Sequence, residues 1–281
     1  MTKRFFLTAL FASFALLSLG QRFGKTVSER PGLVSYTLRD SFGKDVAGTL
    51  DKIKAMGITN LEMSNLFGKT AAEMRALFDE RGMRCTSYGV GYDDMLKKPE
   101  TVMTNAKALG ARYVRVAWIP HEGKFSRETA RKAAEDFNTF GKYLRENGLQ
   151  FCYHNHGYEF QPDGEGTLFD YLVAQTNPDY VNFEMDIAWT YLPGQDPAKL
   201  LLKYPKRFKL MHLKDVRKGV AGNDQGKLAP ENSVALGTGQ LDLNAILKAA
   251  RKSSVEFLYI EDESPAAEQQ VPQSLAYLQR L

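Results

Sequence analysis

From Gly32 onward, short runs of apolar and β-branched residues alternate with longer segments whose apolar residues recur every three or four positions. The short runs predict strands and the longer ones amphipathic helices. A first strand is expected at Gly32–Leu38. A helix follows over Asp45–Met56, where Val46, Leu50 and Ile53 share a face and Gly57 stops it. Further strands are expected at Ile58–Met63, Met83–Val90 and Arg112–Trp118. Helices at Ala71–Glu80 and up to Leu109 separate them, each followed closely by a glycine. The second half repeats the rhythm: helix Arg127–Glu146, strand Leu149–His154, helix Leu168–Gln175, strand Tyr180–Met185, helix Asp196–Lys203, strand Arg207–Leu213. A stretch from Arg217 to Gln240, rich in Gly, Asn and Asp, is too long for a plain connector and is expected to cover a site. Helix Leu243–Lys252, strand Val255–Ile260 and helix Glu268–Leu281 close the chain. Eight strands alternating with helices predict parallel β/α units, and that number suits a closed (β/α)8 TIM barrel better than an open sheet.

The first twenty residues read differently. Lys3 and Arg4 precede an apolar run from Phe5 to Leu17, then Ser18, Leu19 and Gly20. This is the pattern of a signal peptide, shorter than a membrane span. The expectation is therefore a signal peptide at 1–20, a single barrel domain at 21–281, an exported (periplasmic or secreted) protein and no stable membrane insertion after cleavage. Without those residues the formal charge falls from +4 to +2, which gives no argument for a nucleic-acid partner. Cys85 and Cys152 both lie in apolar runs and read as buried free thiols.

In a barrel of this kind the active site lies where the strands run into the loops that follow them. Polar residues recur there in pairs two apart, a spacing that points both side chains to one side of a strand. Glu62 ends the second strand. His154 and His156 end the fifth, with Glu159 just beyond. Glu184 and Asp186, His212 and Lys214, and Glu261 and Glu263 end the last three. A lone strand-end carboxylate usually caps the next helix, and Asp215 and Asp262 are read that way. So many ionisable groups at one level are costly unless something pairs with them, and a divalent cation would do so. Imidazole and carboxylate donors suit manganese, zinc, cobalt or iron better than calcium, with magnesium also in range. Trp118 and Trp189 are candidate sugar-stacking aromatics, Tyr36 a further candidate substrate contact, and Arg115 a candidate contact to a substrate hydroxyl or carboxylate. The LGTGQ segment (Leu236–Gln240) is a weak candidate for a phosphate cradle.

The segments GLVSYTLRD, YHNHGYEF, MDIAW, MHLKD, LGTGQLDLNAIL and YIEDE resemble, in the same order, those of the xylose-isomerase-like barrel superfamily, whose members are usually called sugar phosphate isomerases/epimerases. The resemblance covers nearly all of the chain after residue 20. It implies one divalent metal held from the last four strands, in the superfamily's epimerases by Glu, Asp, His and Glu. Asp186, His212 and Glu261 match the last three. His154 stands where the first Glu is expected, with Glu159 as the other candidate ligand and Glu184 a further metal or substrate group. The implied activity is that of a sugar isomerase or epimerase acting on a non-phosphorylated sugar or keto-sugar through an enediolate. Glu261 would be the base, His156 a proton carrier, Lys214 a stabiliser of the developing oxyanion and Glu62 a substrate contact. The His154 departure gives weight to a one-base isomerisation or to elimination of the dehydratase or lyase type. A keto-glycoside hydrolase and a non-catalytic sugar-binding protein are the other readings; a nuclease, also known in the superfamily, is disfavoured by only four histidines.

Overall fold

The computed structural model describes residues 31–281, so the expected signal peptide at 1–20 lies outside the described residues. The eight expected strands are all present: β1 Gly32–Val34, β2 Asn60–Met63, β3 Arg84–Val90, β4 Tyr113–Val116, β5 Gln150–His154, β6 Val181–Asp186, β7 Phe208–Leu213 and β8 Phe257–Ile260. Each pairs in parallel with its neighbours in chain order, and β1 pairs with β8 to close the barrel. The packing helices are α1 Val46–Ala55, α2 Ala71–Arg81, α3 Pro99–Leu109, α4 Arg127–Glu146, α5 Leu168–Gln175, α6 Pro197–Lys203, α7 Leu243–Ala250 and α8 Ala267–Leu278. The longest, α4, turns Ala130, Ala133, Ala134, Phe137, Phe140 and Leu144 to the core. Thr70 and Thr167 start α2 and α5 with reciprocal capping boxes to Glu73 and Asp170.

The strands are shorter than expected, except β6, which keeps its length and lies one residue further on. β1 stops at Val34, because Ser35–Leu38 winds into a 3-10 turn and Arg39–Lys44 into a further short helix before α1. Ser35 is held there by the Ser64 hydroxyl at 2.8 Å. Two more helices are separate elements that the sequence reading does not expect. Tyr92–Lys97 precedes α3, with Pro99 starting the next helix. Ile187–Tyr191 follows β6 directly.

Inward-facing residues fall in layers, because every second strand residue points into the barrel. A buried, mainly apolar cluster inside the barrel is formed by Val34, Tyr113, Cys152, Leu210 and Tyr259. Two residues further along β4, β7 and β8 come Arg115, His212 and Glu261, and two beyond Cys152 comes His154. The charged site therefore rests on a buried and mainly apolar floor. Both cysteines are buried free thiols, as expected. Among the described residues, no helix is long and apolar enough to cross a membrane.

Candidate functional site

Four ligand-type side chains converge at the C-terminal ends of β5 to β8. One atom each of His154, Asp186, His212 and Glu261 lies within 4.8 Å of all the others, and all four residues are buried. His212 Nδ1 is 3.0 Å from His154 Nε2 and 2.9 Å from Glu261 Oε2. Asp186 splits its carboxylate between two tasks. Oδ1 accepts the backbone N–H of Ala188 and Trp189, capping the helix Ile187–Tyr191, while Oδ2 is buried without a hydrogen-bond partner. Asn155 Oδ1 accepts the Asp186 N–H and steadies this end of β6.

The electrostatics describe a pocket short of positive charge. Burial pushes the Asp186 carboxyl up to about 7 against the pull of Lys214. Burial, with Glu62 beside it, likewise lifts Glu184 to about 7. Burial would lower His212, but Glu184, Glu261 and Glu62 outweigh it and hold the imidazole well above its ordinary value. Burial would raise Glu261, yet Lys214 and His212 hold it well below the usual carboxylate range. One imidazole must therefore act as the counter-ion of several carboxylates. Two imidazole nitrogens, a partnerless carboxylate oxygen and a second carboxylate at one point form a donor set that fits a divalent cation of the zinc or manganese kind.

Lys214 is buried beside the cluster. Its Nζ contacts Glu263, stands 3.9 Å from Glu261 and 4.0 Å from Asp186, and lies 4.5 Å from the centre of the Trp189 indole. His156 sits between Tyr158 and Trp189, each ring centre 5.7 Å away, and 5.0 Å from the ring of His154. Its Nδ1 has no hydrogen-bond partner, and burial together with His154 keeps the ring neutral. The long stretch after β7 does lie over this region. Gly226 packs so closely on Gly157 that an added Cβ on Gly157 would stand 2.3 Å from the Gly226 Cα. Gln161 Nε2 donates to the Asp224 carbonyl at 3.0 Å.

Several expected placements are corrected. Glu159 does not join the cluster. Its oxygens accept from the Tyr153 hydroxyl and the His156 N–H, so it shapes the loop that carries His156. Glu62 and Arg115 are not open to a substrate. Arg115 Nη2 is 2.7 Å from Glu62 Oε1, the pair is buried, and Arg115 Nε lies 3.4 Å from Glu184. Glu184 also sits in this lower layer, with Oε1 3.2 Å from His212 Nε2. Asp215 caps no helix; it gathers the backbone N–H groups of Val216, Gly237, Gly239 and Leu241 at 2.9–3.2 Å. The Leu236–Gln240 turn thus spends its amides within the protein, on Asp215, the Ser274 hydroxyl and backbone carbonyls, and is no phosphate cradle. Asp262 holds the Ser264 N–H at 2.8 Å, short of α8. Of the aromatics, Trp118 is 49% exposed and stacks on His121, and Tyr36 is 41% exposed beneath the Arg39 guanidinium. Trp189 is half-buried, against Lys214 and His156.

A family model described as a xylose isomerase-like TIM barrel matches residues 50–281. An inosose dehydratase of Lacticaseibacillus casei is 25% identical over 257 residues, covering 80% of this chain and 85% of that one. A sugar phosphate isomerase/epimerase from Parabacteroides distasonis is similar in structure, with a TM-score of 0.72 and 25% identity over 89% of this chain and 93% of that one. The crystal structure of IOLI protein with a binding zinc atom shares the fold, with a TM-score of 0.71 at 15% identity over 90% of this chain and 96% of that one. The curated relative is a dehydratase, and this overturns the expectation of an isomerase or epimerase as the principal activity. The name of that relative agrees better with elimination, one of the two chemistries to which His154 gives weight.

Proposed function

The chain belongs to the xylose isomerase-like TIM barrel family, and from that membership we propose that it is a metal-dependent lyase that removes water from a non-phosphorylated keto-sugar or keto-polyol. The carrying observation is the convergence of His154, Asp186, His212 and Glu261, with a buried partnerless oxygen on Asp186. These four residues would hold the cation. When bound, it supplies Lewis acidity toward the substrate's ketone and a neighbouring oxygen.

The rest is work for the chain's own side chains. His156 is neutral and keeps an unpartnered nitrogen beside the cluster, which suits it to take the proton from the carbon next to the ketone. The C–H electron pair becomes a C–C double bond as the hydroxyl on the following carbon departs. His156 returns its proton to that hydroxyl, so water leaves and an unsaturated ketone remains. Burial would strip Lys214 of its proton, but Glu261, Asp186 and Glu263 hold it charged. The ammonium steadies negative charge on the substrate oxygens. Glu261 is kept ionised as a ligand by Lys214 and His212, which moves the base role expected of it to His156. Trp118 offers an exposed indole face for a sugar ring.

Keto-cyclitols and keto-sugars incubated with the purified chain and manganese are expected to lose one water, read by NMR and by the absorbance of the unsaturated ketone. His156→Ala should lower kcat about 10²- to 10⁴-fold while manganese affinity stays unchanged. A product that keeps every oxygen of the substrate would refute the lyase reading.

A further inference from the structure

A second layer of charge lies directly beneath the four-residue cluster, and His212 belongs to both. Its Nδ1 faces His154 and Glu261 in the upper layer. Its Nε2 faces downward, 2.8 Å from Glu62 Oε1 and 3.2 Å from Glu184 Oε1. Glu62, Glu184 and His212 bring ligand atoms within 4.8 Å of one another and would by themselves suit a cation. That place is taken by the Arg115 guanidinium. Its Nη2 and Nε lie 2.7 and 3.1 Å from the same Glu62 oxygen that meets His212, and 3.4 Å separates Nε from Glu184 Oε2. The strand next to Arg115 makes room for it with a glycine: a Cβ on Gly89 would stand 2.9 Å from Nη2.

An imidazole presents a lone pair from one nitrogen only when the other carries the proton. We propose that Glu62 is the positioning residue that fixes the metal-binding face of His212. Its Oε1 accepts the Nε2–H, which leaves the Nδ1 lone pair directed at the cation, and Arg115 clamps Glu62 so that the acceptor cannot swing away. Glu62 rather than Glu184 has this part because it is nearer to Nε2 and because both Arg115 nitrogens converge on the accepting oxygen. A carboxylate acceptor also makes the imidazole a stronger donor to the cation than a neutral acceptor would.

This inference rests on the metal reading above, and manganese calorimetry on the full chain separates the two. Wild type should bind manganese, and Glu62→Gln, with an unchanged circular-dichroism spectrum, should bind it roughly 10- to 100-fold more weakly. Equal affinity in wild type and E62Q overturns the positioning role and leaves the metal reading standing. A wild-type chain that takes up no manganese overturns both. Should E62Q fail to fold, the wild type decides alone. In its zinc-loaded form, long-range proton–nitrogen NMR of the four histidines should show His212 protonated at Nε2 and metal-bound at Nδ1. Zinc on Nε2 of His212 overturns the proposal.

Discussion

The residues of the site behave according to how each carboxylate is paired. Asp186 is one of the four ligand candidates, Glu62 underpins another, and Glu159 neither touches the cluster nor faces a cation. Yet all three stand at or just beyond strand ends in the sequence with the same chemical appearance. The sequence could bring such residues to one level of the barrel, because the two-residue period of a strand is visible in it. It could not say which carboxylate is met by Arg115 and which by the Tyr153 hydroxyl, since those partners come from β4 and from within β5. Glu159 makes the distinction measurable. Burial outweighs its hydrogen bonds to Tyr153 and His156 and pushes its carboxyl up to about 7. A raised carboxyl stabilises the fold fully below the ordinary value and loses that contribution as pH rises through the raised one. Between pH 4.5 and 7.5 the wild type should therefore lose stability relative to Glu159→Gln, by on the order of 3 kcal/mol. Paired urea titrations across that range check it, and parallel curves would count against it.

At the scale of elements, the eight strand–helix units were legible because their periodicities are strong and a glycine follows most helices. Their boundaries were less so. The run Gly32–Leu38 is as apolar as a strand, but only tertiary contacts, Ser64 on Ser35 among them, turn its second half into a 3-10 helix. The helix Ile187–Tyr191 has no separate sequence signal, because its cap is Asp186, itself the last residue of β6. The stretch after β7 was read correctly as a cover. Its seat depends on two glycines meeting, and backbone atoms of Gly226 would collide with any side chain at 157. Gly157→Ala should therefore lift the cover from the loop that bears His156, at a cost of about 1–3 kcal/mol. Limited trypsin digestion should then cut faster after Lys227, and unchanged digestion would show that the glycine contact does not hold the cover down.

For the molecule as a whole, the barrel sets an apolar plug low in its interior and stacks two charged layers above it. Such a stack is expensive to bury unless its charges are matched. The lower layer is matched by Arg115, a residue of the chain, whereas the upper layer has Lys214 and one imidazole shared among several carboxylates. Chelation should accordingly destabilise the whole fold, with manganese at about 100 times its Kd restoring roughly 2.7 kcal/mol, seen as a rise in Tm by scanning calorimetry. A Tm indifferent to chelator and manganese would mean that the upper layer is balanced from within. The two-sided carboxylate of Asp186 carries one more consequence. Whatever pulls on its free oxygen also tugs, through the other, on the amide of Trp189, whose indole already feels the Lys214 charge. With just one other indole in the sequence, the barrel carries a built-in optical gauge: its emission should change as manganese is added, and Trp189→Phe should remove that change while the Trp118 emission remains.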